Sequence, residues 1–161
     1  MKVILSPWSK VPKNGVKCAK NFPLESWKEV VLKLREKGFK TIQIGVSGEQ
    51  LINAEEVKFN LSFPDLLDLL KSADTFISVD NGIQHFAHYY GIHGVVIFSK
   101  SDPSIFGYSD NKNLLKDKKY LRQGREQFKW WDECPYDKDA FISSEEVVDA
   151  VESVIKEKVK G

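Results

Sequence analysis

Three observations predict an α/β fold with an open, mostly parallel sheet and helices on both faces. Short apolar runs alternate with segments of helical periodicity along most of the 161-residue chain. Strand followed by helix, repeated, implies parallel βαβ units wound right-handedly. The third observation is the segment Ser78 to His85, S-V-D-N-G-I-Q-H. There an apolar run stops at Asp80, Asn81-Gly82 turn the chain, and apolar residues resume at helical spacing.

Taken in order, Val3 to Leu5 is a short strand ended by Ser6-Pro7. Trp8 to Phe22 is expected to be a long polar connection, holding Pro12, Gly15 and the lysines Lys10, Lys13, Lys17 and Lys20. The stripe Leu24, Trp27, Val30, Val31, Leu34 predicts a helix closed by Lys37-Gly38. Thr41 to Gly45 is the next strand, with the turn Ser47-Gly48-Glu49 after it. Phe59-Asn60-Leu61 is expected as a short third strand. Ser62 caps a helix with Asp65 three positions on, its inner stripe expected at Phe63, Leu66, Leu67 and Leu70.

Thr75 to Val79 is a buried strand and Ile83 to Tyr90 its helix, ended by Gly91. Val95 to Phe98 is a strand entering the loop Ser99-Lys100-Ser101-Asp102-Pro103. From there to about Pro135 the pattern is irregular, with at most a short strand near Leu114. Ser143 and Glu146 form a capping box for a last helix buried along Val147, Val148, Val151 and Val154. No internal repeat or low-complexity tract interrupts this order.

Composition narrows the function classes. Hydrophobic residues make up 42% and charged residues 29%, which suits a globular chain able to bury a core. The net charge of +1 gives no global field toward nucleic acid or membrane. The basic run Asn111 to Lys129 is expected to be a solvated face or a lip over an anion. No apolar stretch approaches the ~20 residues of a membrane span, and Met1 to Leu5 reads as a strand, not a signal peptide. The two cysteines, Cys18 and Cys134, do not make a disulfide framework, so a reduced, cytoplasmic setting is expected.

A strand leading through a tight turn into a helix gathers backbone N–H groups and the positive end of a helix dipole, an arrangement suited to phosphate. In open parallel sheets ligands sit beyond the carboxyl ends of the strands. Four polar turns are predicted there: Ser6 to Lys20, Gly45 to Glu49, Asp80 to His85, and Ser99 to Asp102. Within these turns the candidate binding residues are Asp80, Asn81, Gly82, Gln84, His85, Ser101 and Asp102, and Ser9, Lys20 and Glu49 join them only through the family resemblance that follows. Four of them have a plainer reading: Asp80 as the cap of the helix, His85 as a helix residue bonded to a neighbouring turn, Asp102 as a turn former, Lys20 as one solvated lysine among several. Trp130-Trp131 are expected as cover for the sheet edge or a partner surface more than as a sugar platform. Cys18 has no evident base, and His85 with His88 lacks further ligands, so no metal is expected.

The block S-V-D-N-G-I-Q-H-F-A, then Gly91, V-V-I-F-S-K-S-D-P and Gly107-Tyr108, resembles glycosyltransferase family 9, the heptosyltransferases of lipopolysaccharide biosynthesis. Lys20-Asn21-Phe22-Pro23 with Trp27 is similar to that family's K-x-W-P-x-x-x-W element. The resemblance implies one Rossmann-like domain over residues 1–161, equivalent to the C-terminal, sugar-nucleotide-binding half of a two-domain GT-B enzyme. It implies that Lys20 contacts the nucleotide phosphates, that Asp80, Asn81 and Gly82 cradle them, and that Glu49 falls near the ribose hydroxyls and Ser9 near the phosphates. Ser99-Lys100 departs from the family's Gly-Pro before the D-P step. The acceptor site and catalytic base of the family lie in its first domain, for which this sequence has no room.

The expected function is thus binding of a nucleoside diphosphate-sugar donor, with Lys20 and His85 as leaving-group stabilisers if transfer occurs. No metal or other cofactor is required, and a separate acceptor-binding domain or chain, or a homo-oligomer, is the expected partner. Two other classes stay open: a non-catalytic nucleotide or nucleotide-sugar binding module, and a small nucleotide-sugar hydrolase using His85 and Asp80.

Overall fold

The computed structural model describes residues 1–9 and 18–160. The first five strands and three helices follow in the order β1 (Lys2–Ser6), α1 (Leu24–Glu36), β2 (Lys40–Gly45), β3 (Glu56–Phe59), α2 (Phe63–Ser72), β4 (Thr75–Val79), α3 (Gly82–Tyr89) and β5 (Val95–Ile97), with a loop in place of a helix between β2 and β3. A one-turn helix, α4 (Pro103–Phe106), and a sixth strand, β6 (Lys112–Leu114), follow. Short 3-10 turns carry the chain to the long final helix, α5 (Ser144–Lys160).

The strands form one six-stranded sheet in the order β3-β2-β1-β4-β5-β6. Every pairing is parallel, so the sheet is fully, not mostly, parallel. This is the doubly wound, Rossmann-like order, in which the chain direction across the sheet reverses between β1 and β4. In that central pair Leu5 lies opposite Ile77 and Ser6 opposite Ser78.

Central strands are apolar at successive positions because both faces are covered. Val3, Leu5, Ile77, Val79, Val95 and Ile97 pack under α1 and α5, together with Trp27 and Leu34. The alternate residues Ile4, Ile42, Phe76, Val96 and Phe98 pack under α2 and α3. The Ser143–Glu146 capping box opens α5, with the Glu146 amide donating to Ser143 Oγ (3.2 Å) and the Ser143 amide to Glu146 Oε2 (3.4 Å).

Three expectations need correction. The third strand is Glu56–Phe59 and not Phe59-Asn60-Leu61. Asn60 has φ 59° and exchanges hydrogen bonds with Ser47, so it leads the chain out of the sheet. Phe63 does not belong to the buried stripe of α2: it is 74% exposed and stacks on Phe86, while Leu70 is buried. Nor is the end of the Trp8–Phe22 connection solvated. Cys18, Ala19 and Phe22 are buried, and the Phe22 ring meets Trp27 edge-on at 5.3 Å. Lys10, Lys13 and Lys17 lie outside the described residues.

Candidate functional site

β1 and β4 end side by side at the point where the strand order reverses, and the loops leaving them are tied together there. Asn81 is the N-cap of α3, its Oδ1 accepting from the Ile83 amide at 3.0 Å. Its amide nitrogen donates across the gap to Ser6 O, Ser6 Oγ and Trp8 O at 3.1 to 3.3 Å. The capping role offered for Asp80 therefore belongs to Asn81.

Asp80 is instead held inward. Its Oδ1 accepts from Gln84 Nε2 at 2.7 Å, one helical turn on, and its Oδ2 lies 3.0 Å from Lys20 Nζ. Asp80 is 5% exposed and the Lys20 side chain 15%, so Lys20 is not the solvated lysine of the plainer reading. An ion pair this enclosed gains little net stability from its formation, because desolvation opposes attraction, but removing either partner leaves a buried charge uncompensated. Lys20 Nζ also lies 4.8 Å from the Trp131 ring centre, and Arg122 packs on the same ring at 4.6 Å. Arg122 is only 10% exposed; the basic run is not wholly a solvated face.

The loop after β5 closes the cleft on its far side. Ser99 Oγ donates to the carbonyl of Ala19, next to Lys20, at 2.8 Å. Ser101 is buried. Asp102 caps α4, its Oδ1 accepting from the amide and hydroxyl of Ser104 at 2.9 and 2.7 Å, which is the turn-forming role. On the other side, the Ser9 amide donates to Asn21 Oδ1 at 2.7 Å. Trp8 Nε1 reaches the Gln50 carbonyl at 2.8 Å and so joins the loops after β1 and β2.

Ser9, Lys20, Asp80, Asn81, Gly82 and Gln84 thus come together at the switch point. Glu49 stands one strand away, its Oε1 accepting from the Val46 amide at 2.7 Å within its own turn. His85 is exposed on α3 and its Nδ1 lies 2.6 Å from the Tyr108 hydroxyl. No hydrogen bond joins His85 to Asp80 among the described residues, so the pair required by a His85–Asp80 hydrolase is not assembled. A cavity of about 550 Å³ lies at the opposite edge, among Gly91, Asp110 and Lys158. It contains none of the switch-point residues, and the concentration of buried charge favours the switch point as the site.

Four residues of this region were not among the candidate binding residues: Tyr108, Arg122, Gln127 and Trp131. Trp131 and Arg122 were visible as members of an aromatic pair and a basic run. Gln127 left no signal, being a lone amide in an irregular segment. It is buried, and its side chain bonds to Lys100 O (2.8 Å), Arg122 O (2.6 Å) and the Asp102 amide (3.0 Å).

Fold and site together define a doubly wound α/β protein with a cation-bearing cleft at its topological switch point. The sequence matches the model of glycosyltransferase family 9 (heptosyltransferase) over residues 12–127, and the chain belongs to that family. No curated protein matches the chain. Among solved structures, a glycosyl transferase family 9 protein from Veillonella parvula superposes with a TM-score of 0.73 at 20% identity, covering 98% of this chain and 46% of that one. The ADP-heptose LPS heptosyltransferase II of E. coli gives 0.72 at 12% identity, covering 98% and 47%. The E. coli heptosyltransferase WaaC with ADP gives 0.67 at 14%, covering 94% and 43%. The chain therefore spans about half the length of the structures whose fold it shares. Among the described residues, no helix is long and apolar enough to cross a membrane.

Proposed function

We propose that this chain binds a nucleoside diphosphate-sugar, its diphosphate lying across the ends of β1 and β4. The observation that supports this most is the Lys20–Asp80–Gln84 cluster, fixed beside the amino end of α3 at the switch point. Lys20 has three donor positions; Asp80 engages one and holds the ammonium in place for phosphate oxygens. The first-turn N–H groups of α3 that Asn81 does not cap add further donors. A carboxylate this close repels a diphosphate, so the role of Asp80 is to position Lys20, not to touch the ligand.

In glycosyl transfer, the bond between the sugar and the diphosphate breaks and negative charge grows on the departing phosphate oxygen. Lys20, His85 and the α3 dipole stabilise that charge, which makes a metal unnecessary. The acceptor site and the general base come from a further domain or a partner chain, and the whole enzyme acts in the cytoplasm in lipopolysaccharide assembly. A second reading is a non-catalytic nucleotide-sugar module, which the same Lys20–Asp80–Gln84 cluster would serve without any transfer step. Incubation with an acceptor and a protein supplying the remaining half distinguishes the two: sugar transfer selects the enzyme, and binding without transfer selects the module.

Thermal denaturation against ADP, GDP, UDP and CDP sugars tests the binding itself. At a hundred times its dissociation constant the correct ligand adds about 2.7 kcal/mol, a rise in Tm of roughly 5 to 10 °C for a chain of this size. No shift with any of them, in the presence or absence of magnesium, refutes the proposal.

A further inference from the structure

We infer that the aromatic shelf formed by Phe106, Phe128 and Trp130 is the seat of the donor's sugar ring. This rests on the diphosphate site proposed above. Phe128 and Trp130 are 73% and 78% exposed, yet they are not loose. Phe106 and Phe128 stand 6.0 Å apart, and with Gln127, Lys129, Trp130 and Trp131 they bound a cavity of about 310 Å³. The segment is pinned from beneath by two enclosed polar side chains. Gln127 ties it to the loop after β5, and Arg122 Nη1 lies 3.4 Å from the carbonyls of both Lys129 and Trp130. Burying an amide and a guanidinium to hold apolar rings in solvent makes sense when the rings must keep a fixed relation to something nearby.

That neighbour is Lys20. Its ammonium lies 5.7 Å from the Phe106 ring centre and 4.8 Å from that of Trp131, so the shelf begins where the phosphate anchor ends. The order of strands supplies the direction. Going across the sheet edge, the turn bearing Glu49 follows β2, the Lys20–Asp80 cluster lies at β1 and β4, and the shelf lies beyond β5. With neighbouring strands about 4.8 Å apart, β2 to β5 spans roughly 14 Å. A nucleotide-sugar laid with its ribose at Glu49 and its diphosphate at Lys20 reaches the shelf with its sugar. One face of a pyranose is a patch of weakly positive C–H bonds, which matches the negative face of an aromatic ring, while its hydroxyls meet water and Lys129 at the rim. A base would also stack on such rings, but the base is on the far side of the diphosphate.

The test is titration calorimetry of ADP, GDP, UDP and CDP, each beside its hexose conjugate (ADP-glucose, GDP-mannose, UDP-glucose, CDP-glucose). Wild-type protein is compared with Trp130→Ala, Phe128→Ala and Trp130→Phe, with sedimentation and melting temperature of each variant recorded. Trp130 and Phe128 are exposed, so the alanine variants are expected to fold. The expected result is a conjugate bound at least 5-fold more tightly than its bare diphosphate, an advantage abolished by Trp130→Ala and largely kept by Trp130→Phe. Binding of the bare diphosphate changes less than 2-fold. Bare diphosphate binding with no sugar advantage, or an advantage that survives both alanine variants, overturns the shelf and leaves the diphosphate site standing. Equal loss for both ligands assigns Trp130 to support of the phosphate loop and also overturns it. A variant that changes only the sedimentation of the protein makes the shelf a protein contact, with the same consequence. Failure of wild-type protein to bind any nucleotide removes the site and the shelf together.

Discussion

Among the described residues Asp80 is the one charged residue that is buried, and its two partners come from opposite directions in the sequence. Gln84, one helical turn on, was legible beside it because i and i+4 share a helix face. Lys20, sixty residues upstream, was reached only through family resemblance, since spacing gives no reason to choose it over other lysines in its loop. Lys20→Ala strands a carboxylate and Asp80→Ala strands an ammonium; each is expected to lower stability by about 3 kcal/mol in urea unfolding. Replacing both together costs less than the sum, and a double-mutant cycle measures the difference. A second residue-scale prediction concerns pH. Burial raises the Cys134 thiol above its ordinary value, with Arg122 and Lys100 opposing, and burial raises the Tyr136 phenol as well. Both groups are neutral when protonated, and the unfolded chain ionises them first. Their contribution to stability is therefore whole below the unfolded pKa values, about 8.5 for the thiol and about 10 for the phenol, and falls as pH rises past them. Urea midpoints should decline from pH 8 to pH 10.5, and Cys134→Ala should remove the earlier part of that decline.

At the scale of elements, β4 and α3 could be read closely because every local cue agrees: an unbroken apolar run, an Asn-Gly turn, then a 3.6-residue stripe. β3 was displaced because its residues, Glu56 to Phe59, are half charged and sit at the sheet edge, where little is buried to mark them. The stretch from Lys118 to Ala140 was unreadable for another reason. Its 3-10 turns are held by individual side chains such as Gln127 and Asp137, which leave no periodic trace. Caps are readable because they use particular residues at fixed offsets. Ser143→Ala is expected to cost about 1 kcal/mol by loss of the α5 cap, seen as a lower urea midpoint with an unchanged m-value. Gly94 precedes β5 where a Cβ would stand 2.6 Å from the Phe76 ring of β4. Gly94→Ala therefore forces the core ring aside and is expected to cost about 1 to 3 kcal/mol, measured in the same way.

For the whole molecule, the strand order decides where a ligand can go before any residue is considered, because adjacent loops part only where the order reverses. That much followed from the alternation of strands and helices. The closure of the site by the segment after β6 did not, since it depends on contacts such as Lys20 with Trp131 that no local pattern encodes. Net charge is near neutral, so ligand attraction depends on the local cluster and weakens with salt only modestly.

The amide of Asn81 spans 75 residues of sequence to reach Ser6. Such a link forms only after the chain has closed a long loop and paired two parallel strands, among the slower events in folding. The cleft therefore exists only where β1 and β4 are paired, and a chain in which they have separated cannot offer it. Any ligand that occupies it reads the fully folded population, and opposes global unfolding rather than the fraying of one loop.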